Sequence, residues 1–356
     1  MTESFFQEDH HCTAEWPEWG GIPRHPLVTF DRAHHGEWMD SVVGTHPLTG
    51  APKVYHIVRC EYCISTHVWP LPASEDLATY YAKSFYQQTK PEYVARYERD
   101  RAWWEECAWR PLIRQCMDSL PKDWFFYKQA CPTFIDIGCG PGIALDVAAQ
   151  LGCDTLGIEP NGELCDKLST TPYHHDMYCG VLERYAKDAH TQVPDLYADI
   201  LCAYEVLEHQ PCPEDFLLTC HSIMNDGGIL LIAVPNDYNP YQLLAREQLG
   251  LPPWWLSVPD HLHYFTPKTL QLLVRRCGFE ILDMRGTYPI DRAILQGQNY
   301  IGNDALGRTV HQQRMQDELN VVHAGQWKER EAYYRDALAT QRVGREIIVI
   351  ARKVTA

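Results

Sequence analysis

The stretch Phe134-Ile-Asp-Ile-Gly-Cys-Gly-Pro-Gly142, with Glu159 beyond a second apolar run, combines residue types that bind a nucleoside. Gly138, Gly140 and Gly142 let the backbone turn tightly and bring bare N–H groups against a ligand. An acid at the end of the next strand can accept both hydroxyls of a ribose, which is the part given to Glu159. These residues need a strand, a helix and a second strand to hold them. Phe134 to Ile137 supplies the first strand. Ala144, Leu145, Val147, Ala148 and Leu151 recur at helical spacing, Gly152 stops the helix, and Thr155 to Ile158 reads as the next parallel strand.

A dinucleotide fingerprint requires glycine or alanine at the third position of G-x-G-x-x-G. Counted from Gly138 and Gly140 that position is Ile143, and the glycine comes one residue early at Gly142. A nicotinamide oxidoreductase is therefore the weaker reading. Asp136, just before the turn, suits a positively charged ligand, and S-adenosylmethionine carries an ammonium and a sulfonium with no phosphate for the loop to cradle.

At these residues the chain resembles the class I methyltransferases, whose first motif has the same Asp-x-Gly-x-Gly-x-Gly form. Later segments extend the resemblance from about Thr133 to the C-terminus: Asp199-Ile-Leu-Cys-Ala-Tyr-Glu-Val-Leu-Glu-His209, Asp226-Gly-Gly-Ile-Leu-Leu-Ile-Ala-Val-Pro-Asn236, Asp260-His-Leu-His-Tyr-Phe-Thr-Pro-Lys268, Cys277-Gly-Phe-Glu-Ile-Leu282 and Arg345-Glu-Ile-Ile-Val-Ile-Ala-Arg352. Their order is similar to the subgroup that includes ubiquinone-type O-methyltransferases and many sugar and natural-product methyltransferases. The resemblance implies a doubly wound, mostly parallel, seven-stranded Rossmann-like α/β sheet. It also implies an S-adenosylmethionine site with Asp136, Gly138, Gly140, Gly142, Glu159 and Tyr204, and it carries Glu208 and His209 towards the pocket. Methyl transfer to a hydroxyl needs alignment and a base. His209 is the first candidate for that base, because imidazole takes a proton near neutral pH, with His261 and His263 as alternatives and Glu208 as an orienting group.

The N-terminal region carries a different chemistry. Cys60-Glu-Tyr-Cys63 follows the strand-like run Val54 to Val58, and such a knuckle sets two thiolates on one side of a turn, as tetrahedral zinc requires. Eight of the 17 histidines lie at positions 10, 11, 25, 34, 35, 46, 56 and 67. A structural zinc on Cys60, Cys63, His67 and His35 is the expected site, with His34 and His46 as other imidazole donors and a polar segment holding two reduced cysteines as the plain alternative. Several methyltransferases of the resembled subgroup have a zinc segment with a second Cys pair, which this chain lacks. The remaining cysteines read as reduced packing residues.

Three parts follow: 1–72, the His/Cys-rich segment; 73–130, a helical cover rich in Tyr and Trp; and 131–356, the methyltransferase domain. Aromatic rings of the cover could face a sulfonium, which they stabilise as they do an ammonium. Between Phe279–Met284 and Glu346–Ala351 roughly fifty residues intervene, too many for a hairpin loop. This insertion, about 287–342, is expected to stand over the substrate pocket and to offer Arg292, Asn299, Tyr300 and Arg308 to hydroxyls or carboxylates. Gln312 to Ala339 reads as one or two exposed helices, serviceable as a lid or a dimer arm.

A net charge of −16 argues against a nucleic-acid or anionic-membrane partner. No apolar run approaches the ~20 residues of a membrane span, and Met1 to His11 is unlike a signal peptide, so a cytoplasmic location is expected. The reading is a methyltransferase acting on a hydroxyl of a small polar acceptor such as a sugar. C- or N-methylation, and a binding protein without turnover, are the alternatives.

Overall fold

The computed structural model describes residues 27–29, 35–46, 49–60, 65–72, 74–83, 85–86, 90–122, 131–192 and 197–354. Two sheets organise them. β1 (Leu27–Thr29), β2 (His35–Thr45), β3 (Pro52–Cys60) and β4 (Thr66–Trp69) form an antiparallel meander. The larger sheet contains β5 (Thr133–Ile137), β6 (Asp154–Glu159), β7 (Asp176–Cys179), β8 (Ala198–Tyr204) and β9 (Met224–Pro235). β10 (His263–Tyr264) belongs to the smaller sheet, and β11 (Phe279–Gly286) and β12 (Glu346–Lys353) complete the larger one.

The larger sheet has the order β11-β12-β9-β8-β5-β6-β7, with β5 to β9 parallel and β12 antiparallel to both neighbours. This is the expected doubly wound seven-stranded architecture. Its central strands are near-continuous apolar runs because both faces are covered. Alternation then divides them. Ile135, Leu201, Leu230, Ile232, Ile347 and Val349 enter one core, whereas Phe134, Ile200, Ile229, Leu231, Ile348 and Ile350 enter the other.

The smaller sheet crosses the boundary expected near residue 72. β10 pairs antiparallel with β4, His263 opposite His67 and Tyr264 opposite Thr66. Tyr55, Ile57 and Val68 share a third core with Tyr238, Trp255, Leu262 and Tyr264, so the N-terminal strands and the wall before β10 are packed as one unit. Leu262→Ala should therefore cost about 2–5 kcal/mol in urea unfolding, the range for truncating a fully buried leucine. A loss below about 1 kcal/mol would mean that the two parts do not depend on each other.

The cover comprises Ser74–Lys83, Tyr93–Arg99 and a continuous helical stretch from Arg101 to Ser119 with a π-helical segment at Trp104–Trp109. The insertion forms a short helix, Arg292–Leu295, and two long ones, Asp304–His323 and Trp327–Gln341. They are not the exposed helices expected. Arg314, Glu318, Arg330 and Glu331 are buried, and they join the cover: Trp103 Nε1 donates to Glu318 at 3.1 Å and Arg330 donates to the Cys107 carbonyl at 2.7 Å. Arg285 of β11 meets Glu331 at 2.8 Å. Among the described residues no helix is long and apolar enough to cross a membrane.

Candidate active site

A cavity of about 800 Å³ opens at the carboxyl ends of β5, β6 and β8, between the cover and the wall formed by Trp254, Trp255, Ser257 and His261. Its floor begins with Gly138, the first residue of the glycine turn, while Gly140 and Gly142 stand behind the lining. Gly138, Gly140 and Gly142 have φ of 66°, 49° and 80°, a region that side chains other than glycine seldom adopt. At Gly142 an added Cβ would lie 2.4 Å from Leu168, so this glycine serves helix–sheet packing. At Gly140 the nearest atoms would be Tyr86 Oη at 3.6 Å and Tyr93 Cε1 at 3.7 Å.

Glu159, at the end of β6, is 1% exposed and lines the cavity. Its Oε2 accepts from Gly140 N at 3.0 Å and its Oε1 from Asn161 N at 3.0 Å, while Tyr86 Oη stands 3.5 Å from Oε2. Burial pushes its pKa up to about 7 despite those donors. Oε1, with a single donor, retains a lone pair for a ribose hydroxyl, while Oε2 already faces both Gly140 N and Tyr86 Oη. Asp136 is also pushed up to about 7 by burial, and it lies behind the turn rather than in the cavity lining. Gly138 and Tyr204 do line it, and Tyr204 Oη donates to Glu346 at 2.7 Å.

The second half of the cavity gathers Glu208, His209 and His261. His209 closes the short 3₁₀ turn Leu207–His209, and its Nδ1 donates to the Asp260 carbonyl at 2.6 Å. This bond leaves Nε2 as the acceptor nitrogen, 3.7 Å from Glu208 Oε1. His261 stacks edge-on against His209 with centroids 5.1 Å apart, and its Nδ1 is 4.0 Å from Asp237 Oδ2. Burial depresses both imidazoles, His261 to about 3, so both are neutral at pH 7. Neither carboxylate oxygen of Glu208 has a hydrogen-bond donor among the described residues, and burial drives its pKa well above the carboxylate range. One ligand atom from each of the three residues lies within 4.8 Å of the others, close enough to share a proton or a cation.

Several expected residues stand elsewhere. His263 is a buried strand residue bonded to Ser65 Oγ and the Pro211 carbonyl, outside the cavity lining. Arg292, Asn299, Tyr300 and Arg308 do not line the cavity either, because the insertion packs on the cover instead of over the pocket. Tyr300 braces Asp291 at 2.9 Å, and Asp291 in turn meets Asn239 at 3.1 Å. Of the zinc set, Cys60 is buried at the end of β3 and His67 lies in β4 with Nδ1 bonded to the Val68 carbonyl at 2.8 Å. Cys63 and the side chain of His35 lie outside the described residues.

Other wall residues went unassigned in the sequence. Asp260, which holds His209, also pairs with Lys90 at 2.7 Å and stands 3.3 Å from Tyr81 Oη. Glu205, at the tip of β8, has φ 55°, a strained conformation costing of order 1–3 kcal/mol. It faces the cavity beside Arg345, Lys90 and Arg96. Both acids stand inside segments whose motif is legible, but their roles depend on partners more than a hundred residues away in sequence.

A family model for a methyltransferase domain matches residues 105–283, half of the chain. The ubiquinone biosynthesis O-methyltransferase of Aeromonas salmonicida (strain A449) is 26% identical over 217 residues, covering 58% of this chain and 89% of that protein. The one from Bordetella avium (strain 197N) is 28% identical over 197 residues, covering 52% and 78%. Among solved structures, a SAM dependent methyltransferase from Archaeoglobus fulgidus aligns with a TM-score of 0.40 at 17% identity, over 70% of this chain and 97% of that one.

Proposed function

The chain belongs to the class I S-adenosylmethionine-dependent methyltransferases, and from that premise we propose that it methylates a hydroxyl of a small polar acceptor. The observation that carries the reading is His209, a neutral imidazole lining the cavity with Nδ1 tied to the Asp260 carbonyl and Nε2 left to accept a proton. The names of the curated relatives, O-methyltransferases, support the same acceptor atom. S-adenosylmethionine supplies a methyl carbon already activated by its sulfonium, so the protein has to align donor and acceptor and receive the hydroxyl proton.

The chain's own residues divide that work. Glu159 takes the ribose hydroxyls, and the Gly138–Gly140 turn admits the ligand where a side chain would stand between Tyr86 and Tyr93. On the acceptor side Nε2 of His209 receives the proton, while Glu208 and His261 border it within 4.8 Å. Tyr81, Trp254 and Trp255 close the wall against water. The presence of Gln210, Asp215 and Ser257 in the lining beside Tyr81, Trp254 and Trp255 supports a polar acceptor such as a sugar.

Incubation with S-adenosylmethionine and a panel of sugars, phenols, amines and carbon acids, read by release of S-adenosylhomocysteine, tests the acceptor class. Hydroxyl acceptors are expected to turn over. Turnover confined to amines or carbon acids would move the reading to N- or C-methylation. For the N-terminal zinc, elemental analysis of protein purified without chelators should find one metal per chain, lost in a Cys60→Ser, Cys63→Ser double variant. Metal-free protein would remove that site.

A further inference from the structure

We infer that Asp260 is the positioning residue for the base His209, and that Lys90 and Tyr81 hold Asp260 in place, so that the cover fixes the geometry of proton transfer. The inference rests on the reading of His209 as the proton acceptor. Asp260 makes contact on two sides. Its carbonyl accepts from His209 Nδ1 at 2.6 Å, with its Oδ1 3.6 Å from the same nitrogen. Its carboxylate meets Lys90 Nζ at 2.7 Å through Oδ2 and Tyr81 Oη at 3.3 Å through Oδ1.

A peptide carbonyl orients an imidazole only as firmly as its own residue is held. The chain beyond Asp260 supplies part of that hold, since His261 N donates to the Ser257 carbonyl at 2.6 Å and Leu262 N to the Glu208 carbonyl at 2.8 Å. The side chain supplies the rest. It is a buried charge that needs partners, and both partners named above come from the cover. Tyr81 also packs edge-on against the His209 ring at 5.6 Å, so the cover touches both the base and the residue that orients it.

Lys90 is itself tied to the donor half of the cavity. Its N–H donates to the Phe85 carbonyl at 2.8 Å and its carbonyl accepts from Tyr93 N at 3.0 Å, and both of these residues line the cavity. One stretch of the cover therefore reaches Phe85 and Tyr93 by its backbone and Asp260 by its side chain. The bond to the Asp260 carbonyl keeps the proton on Nδ1 of His209 and the lone pair on Nε2, the form that receives a hydroxyl proton. The other ionisable groups around this ring are Glu208 in its own turn, His261 beside it, and Glu205 and Arg345 in the cavity wall.

Steady-state kinetics of the full chain with S-adenosylmethionine and a hydroxyl acceptor that turns over tests the inference. Lys90→Met and Asp260→Asn should each lower kcat about 10- to 100-fold, the scale of a misplacement of about 1 Å, while the Kd of S-adenosylhomocysteine and the KM of the acceptor stay within about twofold. The double variant should lose no more than the worse single one, because both changes break one contact. The pH profile of kcat, with both substrates saturating, adds a readout that lost packing would not move. Burial lowers the pKa of His209, Asp260 raises it and Lys90 lowers it. A base works in its neutral form, so the acid limb should move to higher pH in Lys90→Met and to lower pH in Asp260→Asn. Limbs that move together, losses in Kd or KM in place of kcat, or additive losses in the double variant would overturn the inference. If Asp260→Asn does not fold, as judged by circular dichroism, Lys90→Met alone decides, because the Lys90 side chain is 40% exposed. His209→Ala separates the two levels: wild-type kcat in that variant would remove the base itself, whereas a large loss there with wild-type rates in Lys90→Met and Asp260→Asn would remove only the positioning role.

Discussion

His209→Ala should lower the maximal rate by about 10²–10⁴-fold while S-adenosylhomocysteine binds as in the wild type. The reason is geometric. His209 and Glu159 both line the cavity on different elements, and the Nδ1 bond of His209 to the Asp260 carbonyl leaves Nε2 as its proton-accepting nitrogen. Removal of the ring takes away the proton acceptor and leaves the glycine turn, Glu159 and the rings over them untouched. The measurement is kcat with a hydroxyl acceptor, set beside calorimetric Kd for the product nucleoside. Wild-type turnover in His209→Ala would transfer the role to His261, the other imidazole that lines the cavity among the described residues. A parallel loss of nucleoside affinity would instead mean that the ring supports the fold of the pocket.

The second large effect is at Glu159. Glu159→Ala removes the acceptor of the ribose hydroxyls and releases Gly140 N and Asn161 N, so binding of S-adenosylhomocysteine should weaken by about 1.5–3 kcal/mol, the range for a hydrogen bond to a charged group. Gly140→Val should be worse, since valine at φ 49° is strained and its side chain enters the space below Tyr86 and Tyr93. The same acid predicts a pH dependence. Its pKa in the ligand-free pocket is raised to about 7 by burial, and ribose hydroxyls donate to the ionised form. Affinity should therefore hold above about pH 7 and decline as the pH falls below it. In Glu159→Gln the profile should flatten. Persistence of the decline would assign it to Asp136, which burial also raises to about 7.

The sequence made the nucleoside half of this site legible because its parts are local. β5, the glycine turn, the helix Ile143–Gln150 and β6 follow one another without interruption, and period, glycine placement and the terminal acid all point the same way. The acceptor half is assembled from distance. Lys90 of the cover, His209 after β8 and Asp260 before β10 meet only in three dimensions. A two-residue strand such as His263–Tyr264 leaves no periodic trace, so its pairing with β4 and the shared core around Trp255 and Leu262 could not be read.

The insertion misled for a related reason. Arg314, Glu318, Arg330 and Glu331 look like a solvated face in a linear pattern, yet they are buried where they bond one another and the cover. Paired charges can be buried, but nothing in a single segment names the partner. Arg292, Asn299, Tyr300 and Arg308, expected to grasp a substrate, stand away from the cavity lining. Arg345, just beyond the insertion, reaches the cavity, as do Lys90 and Arg96 of the cover.

The role of His209 depends on transfer of the methyl group to oxygen. Incubation of the enzyme with S-adenosylmethionine bearing a deuterated methyl group and a hydroxyl acceptor that turns over, followed by NMR of the isolated product, locates that group directly. The label should appear on an oxygen of the acceptor, and its formation should be lost in His209→Ala. Label on carbon or nitrogen, or equal labelling by His209→Ala, would contradict the assignment of His209 as the group that receives a hydroxyl proton.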